Sequence, residues 1–138
     1  MKAFASADEL YAVITPFLDR VTTGNLRSKF SAVGDMVLIT YSDPDAQFLL
    51  DTRHDPPQVR VGDDASVDSP DIELSMSADN GHKLWLGELN ITSALATRKI
   101  KVSGPLMKLL GLVPVFQPVY AEYRSYLTEI GRPELLKV

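Results

Sequence analysis

Two histidines are present, and one of them, His54, stands beside a carboxylate, Asp55. Such a pair could shuttle a proton as a general acid–base dyad. Adjacent residues in a turn made by Pro56 and Pro57 point apart, however, and no nucleophile is identifiable nearby. His82 falls one residue after a polar turn and reads as a helix-start residue rather than a base. Asp63, Asp64, Asp68 and Asp71 supply oxygen ligands of the kind calcium takes. They lack the alternating Asp-x-Asp-x-Asp-Gly order and terminal Glu of a calcium loop, so a solvated acidic loop is expected. Ser-x-x-Lys and Gly-x-Ser-x-Gly nucleophile signatures are absent, as are Gly-x-Gly-x-x-Gly and phosphate loops. Cysteine is absent altogether, which removes disulfides, thiol catalysis and thiolate zinc sites together. No metal or cofactor is expected, and no catalysis. What remains is apolar: Leu84, Trp85, Leu89, Leu106, Leu109, Leu110, Val113, Phe116, Tyr120 and Tyr123. On residue type alone this set is an ordinary core.

The elements that hold these residues can be read in order. Ser6 followed by Glu9 forms a capping box, and Leu10, Val13, Ile14, Phe17 and Leu18 then recur with helical spacing. Pro16 should kink or split that helix, and Thr23-Gly24-Asn25 ends it. Lys29 to Tyr41 reads as a strand, interrupted near Gly34-Asp35. Its faces Met36/Leu38/Thr40 and Val37/Ile39/Tyr41 are both apolar enough to place it centrally, covered on both sides. A turn at Ser42 to Asp45, a strand from Ala46 to Thr52, a proline turn and a short strand from Gln58 to Val61 complete a meander. An acidic loop follows from Gly62 to Pro70.

The most informative stretch runs from Ile72 to Leu112. Ile72, Leu74 and Met76 alternate with Asp71, Glu73 and Ser75, and Ile100 and Val102 alternate with Lys99, Lys101 and Ser103. Period two marks strands with one buried and one wet face. If the two strands are neighbours, the acidic face of one meets the basic face of the other, which aids register. Ser77 is the cap of a leucine-rich helix. Because Asn80-Gly81 prefers a turn, that helix either starts after Gly81 or has a distorted first turn. Asn90 to Ala96 is a second short helix. Pro105 opens a short apolar helix that Gly111 stops. Leu112 to Pro118 is a proline-spaced apolar run, and after it a longer helix carries Phe116, Val119, Tyr120, Tyr123, Leu127 and Ile130 on one side. Gly131-Arg132-Pro133 closes it, leaving Glu134 to Val138 as a tail. A helix as broadly apolar as Leu84-Trp85-Leu86-Leu89 faces either a solid core or a lumen, and periodicity does not separate the two.

At 138 residues, with no linker, the chain is expected to form one domain over 1–138. Such a domain needs no metal or disulfide to supply its core. The net charge of −4 argues against nucleic-acid binding. The acidic pair Asp8-Glu9 interrupts any signal-peptide core. No run approaches the ~20 apolar residues of a membrane helix, and Leu136-Lys137-Val138 is not a peroxisomal address. A cytoplasmic location is expected.

The order strand, serine cap, leucine-rich helix, glycine, small helix, then a basic strand ending in Ser-Gly resembles the sterol carrier protein 2 (SCP2) family. The residues that carry the likeness are Ser77, Leu84, Leu86, Gly87, Leu89, Ala94, Lys99, Ile100, Val102 and Gly104. The resemblance implies an α+β fold with about five strands in a mainly antiparallel twisted sheet, helices on one face and an apolar tunnel. It implies non-catalytic binding or transfer of a sterol, fatty acid or acyl chain, or else an accessory subunit that presents a lipophilic substrate to a partner enzyme. The apolar set above, with Ile100 and Val102, becomes the expected ligand wall, and Tyr120 and Tyr123 the hydroxyls that fix a headgroup. Transient membrane contact and a homodimer are among the associations this reading admits. Two departures stand out. Arg98 replaces a glycine the family often carries before Lys99. A long C-terminal helix, about 114–131, follows as a lid over the tunnel, a filler of it or a dimer contact.

Overall fold

The computed structural model describes residues 2–137; Met1 and Val138, the ends of the expected domain and tail, lie outside the described residues. Five strands form one sheet in the order β3-β2-β1-β4-β5. They are β1 (Met36–Ser42), β2 (Ala46–Asp51), β3 (Gln58–Val61), β4 (Ile72–Ser77) and β5 (Ile100–Ser103). β1 is central, as its two apolar faces demand. Val37, Ile39 and Tyr41 point into the main core, whereas Leu38 meets Leu49 and Ala65 on the other face. The sheet is mixed rather than purely antiparallel, because β4 lies parallel to β1. The chain from Gly62 to Asp71 makes that crossover, and its Ala65 and Val67 cover the face that the helices leave bare.

Helix α1 (Ala7–Thr23) packs over β2 and β3. Ser6 caps it by accepting from the Glu9 amide. Glu9 returns its carboxylate to the Ala5 amide rather than to Ser6, so the box closes one residue early. Pro16 lies within this helix without dividing it. The expected strand beginning at Lys29 is instead a short helix, α2 (Arg27–Ser31). Leu26 and Phe30, four apart, put one face of that turn into the core. Gly34, at φ +71°, then redirects the chain into β1.

Ser77 caps α3 (Ala78–Leu86) by accepting from the Asn80 amide at 3.1 Å. Asn80-Gly81 therefore lies inside the helix, not before it. A side chain at Gly81 would place its Cβ 2.4 Å from the Tyr41 ring. Glycine is there for close approach rather than for a turn. After α4 (Ile91–Ala96) and β5, one uninterrupted helix, α5, spans Leu106–Glu129. It contains Gly111, Pro114 and Pro118, so the expected stop at Gly111 and second start after Pro118 do not occur. The reason is the buried stripe Leu109, Leu112, Phe116, Val119, Tyr123 and Tyr126. Its alternating spacing of three and four holds one face against α1 and α3.

β4 and β5 are neighbours, but Ser75 stands opposite Lys101 and Glu73 opposite Ser103. The expected meeting of acidic and basic faces is thus offset by one pair. Glu73 instead accepts from the Thr40 hydroxyl at 3.2 Å. Pro133–Leu136, its last three residues expected as tail, forms a 3₁₀ turn with Leu135 buried. No helix among the described residues is long and apolar enough to cross a membrane.

Candidate functional site

The residues expected as ligand wall separate into three groups. Leu84, Trp85, Ile100, Leu109, Phe116 and Tyr123 are buried and packed on one another, with Val102 half-buried against them. Trp85 meets Phe116 edge-on at 5.3 Å, and Phe17 lies 4.7 Å from Tyr123. Trp85 donates its indole N–H to the Tyr41 hydroxyl at 2.8 Å, so the polar atom of the largest core side chain is satisfied inside. Leu89, Val113 and Tyr120 are half-buried and line a cleft. Leu106 and Leu110 face solvent, 56% and 49% exposed, and Met107, which the residue pattern did not single out, is 76% exposed.

The cleft has a volume of about 400 Å³ and opens between α5 and the segment joining α3 to α4. Local rules build its near wall. Gly87 ends α3 in the left-handed region at φ +79°, its amide donating to the Leu84 carbonyl while the Glu88 amide reaches Lys83. Asn90 then starts α4 by accepting from the Ser93 amide at 2.9 Å. Two close helix ends thus present the 87–92 turn to α5. The Tyr120 ring fills the space over Gly87, where a Cβ would lie 2.8 Å from it. Arg124 ties the walls together, donating to the Leu86 carbonyl at 2.9 Å and to Glu88 at 2.6 Å. Burial raises the Tyr120 hydroxyl above its ordinary range, so it remains a donor at neutral pH.

On α5 the positions Leu106, Leu110, Val113, Gln117 and Tyr120 recur at intervals of four and three, so they form one stripe. It starts at exposed leucines and ends in the cleft, a run of about 21 Å at 1.5 Å per residue. Beside it runs the buried stripe that begins at Leu109. The same spacing rule applied across Pro114 and Pro118 would have revealed both.

The other candidates do not assemble. His54 lies 3.4 Å from Asp51, while Asp55 pairs with Arg27 at 2.5 Å, so the adjacent residues do turn apart. Asp71 accepts from the Met36 amide, and the described residues hold no group of three acidic or imidazole side chains placed for a metal. His82 is buried between the Leu135 carbonyl, 2.6 Å from Nε2, and the Tyr123 hydroxyl, 2.8 Å from Nδ1. Nε2 must donate to the carbonyl, so Nδ1 accepts from tyrosine. A second cleft of about 620 Å³ opens over this pair. On its rim Arg132 pairs with Glu134 and, beyond the rim, with Glu9, Lys2 pairs with Asp43 outside it, and Asp79 accepts from the Ala3 amide.

A mixed five-stranded sheet with helices on one face, bearing an apolar helix stripe that runs into a cleft, defines a small α+β domain. The model of the SCP-2 sterol transfer family matches residues 16–117, and the chain belongs to that family. Sterol carrier protein 2 from Yarrowia lipolytica, in its apo form, superposes with a TM-score of 0.63 at 20% identity, over 87% of this chain and 95% of that one. The sterol carrier protein domain 2 of Helicoverpa armigera gives 0.63 at 15%, over 77% and 84%. A structure described as UbiJ-SCP2, a ubiquinone synthesis protein, gives 0.60 at 14%, over 80% and 95%. No curated protein matches the sequence.

Proposed function

We propose that this protein binds and carries a lipid-like hydrophobic ligand and performs no chemistry on it, as a single domain working in the cytoplasm. Support comes from membership of the SCP-2 sterol transfer family. The observation that carries the reading is the exposure of Leu106 and Leu110, with Met107 exposed beside them, in line with the cleft at Val113 and Tyr120. A monomer does not gain stability from leaving three large apolar side chains wet. An acyl chain or sterol laid on them gains at ~25 cal/mol per Å² covered, less the cost of ordering it. In this reading Leu89, Leu106, Leu110, Val113 and Tyr120 touch the ligand. Leu84, Trp85, Ile100, Val102, Leu109, Phe116 and Tyr123 form the wall beneath.

Native mass spectrometry of gently purified protein should find a co-purifying lipid, and a fluorescent fatty alcohol should bind and be displaced by sterol or acyl chains. Leu110→Asp should weaken that binding about tenfold or more while leaving the unfolding midpoint nearly unchanged, because the site is on the surface. A bare protein mass together with no probe binding would overturn the proposal. The second reading, an accessory subunit presenting a lipophilic substrate to an enzyme, draws on the same stripe, which is open to a second protein surface. A specific partner captured by the wild type and lost in Leu110→Asp, without lipid binding, would favour it.

A further inference from the structure

We infer that the cleft selects an amphiphile whose head is uncharged and hydrogen-bonding, a hydroxyl or carbonyl, over one ending in a carboxylate or phosphate. This rests on the lipid-binding reading above and adds the chemistry of the head. An anionic head gains most from a cation free to meet it. Among the described residues lining the cleft there is neither lysine nor arginine, and the one charged side chain is Glu88. The Arg124 guanidinium, one turn beyond Tyr120, donates through Nη2 to Glu88 and to the Leu86 carbonyl. An incoming carboxylate would lose water and approach Glu88, whose charge already offsets that of Arg124.

Neutral heads meet the opposite situation. Tyr120 and Gln117, one turn apart on α5, bring a hydroxyl and an amide to the cleft, and Thr92 adds a second hydroxyl from the facing wall. The other tyrosines each have a protein partner for the hydroxyl: Tyr11 with the Gln47 amide, Tyr41 with Trp85, Tyr123 with His82, and Tyr126 with the Val13 carbonyl. Tyr120 alone among the described tyrosines has none, and it is the one that borders the cleft. Its phenol can donate to a ligand oxygen and accept from a ligand hydroxyl. The head sits there while the chain lies along Val113, Leu110 and Leu106.

The test compares dodecanol with dodecanoate, identical chains differing only in the head, as competitors of a fluorescent fatty alcohol at about pH 8, where the acid is ionised. Dodecanol should bind about tenfold or more tightly than dodecanoate. Glu88→Gln keeps the size of the side chain but releases Arg124. It should strengthen dodecanoate about two- to fivefold relative to dodecanol. Tyr120→Phe, which keeps the ring on Gly87, should weaken dodecanol about two- to tenfold without moving the unfolding midpoint. Equal binding of the two competitors, or a Glu88→Gln variant that does not favour the acid, would overturn the head preference with lipid carriage intact. Binding of neither would overturn both readings.

Discussion

At Gly81 a single missing Cβ sets how closely α3 approaches β1. Alanine is the better helix former by about 1 kcal/mol, so propensity alone favours Gly81→Ala. Its Cβ would sit 2.4 Å from Cε1 of Tyr41 and 2.8 Å from the hydroxyl that receives the Trp85 N–H. Overpacking of that kind costs about 1–3 kcal/mol, and urea unfolding should show a net loss; a gain would mean that the Tyr41 ring moves aside freely. His82 offers a pH test. Burial holds its pKa below the ordinary 6.5, opposed by the Leu135 carbonyl and by Asp79. The unfolded chain takes up a proton first as pH falls, so this contribution is complete above about pH 6.5 and declines as pH drops toward the folded-state value. The urea midpoint should fall from about pH 7.5 to 5.5, and His82→Gln should flatten that slope. An identical slope in the variant would remove His82 from the account.

Helix α5 shows how far local signals mislead when an element is held by what it packs against. Gly111, Pro114 and Pro118 are helix breakers, and the local expectation is two short helices with an extended apolar run between them. Each interior proline removes an amide donor and costs up to ~3 kcal/mol. The buried stripe from Leu109 to Leu127 outweighs this. Pro114 is exposed, so Pro114→Ala restores a helical hydrogen bond without touching the core. It should raise the unfolding free energy by roughly 1–3 kcal/mol. A loss of stability would show that the core depends on the proline's bend. The meander β1–β3, the Ser77 cap and the alternation in β4 and β5 were legible because each depends on neighbours within a few residues. The charge pairing of β4 with β5 was not, since register is set by the sheet and not by either strand.

For the whole molecule, the family match ends at Gln117, yet Tyr123, Tyr126 and Leu127 beyond it are buried in the shared core. Tyr126 donates to the Val13 carbonyl at 2.5 Å, and Arg20 of α1 pairs with Glu129. The second half of α5 is therefore structural, covering Phe17 and His82. A chain ended after Gln117 should lose cooperative unfolding and its near-ultraviolet circular dichroism. A truncated protein that kept both would make the extension dispensable. The tunnel implied by the resemblance put every apolar candidate around one space. In the structure the inner candidates meet each other, and Leu89, Val102, Leu106, Leu110, Val113 and Tyr120 remain accessible in whole or in part.

The α+β class came with the family resemblance, while the order of residues by itself determined the central two-faced strand, the alternation of β4 and β5 and the caps at Ser6 and Ser77. These follow from side-chain type and short-range periodicity, which the chain carries wherever it folds. Only tertiary structure decided that β4 runs beside β1, that α5 is one helix, and which apolar residues are wall and which are surface. Such outcomes rest on contacts between residues far apart in sequence, where burying one face of an element outweighs its local preferences.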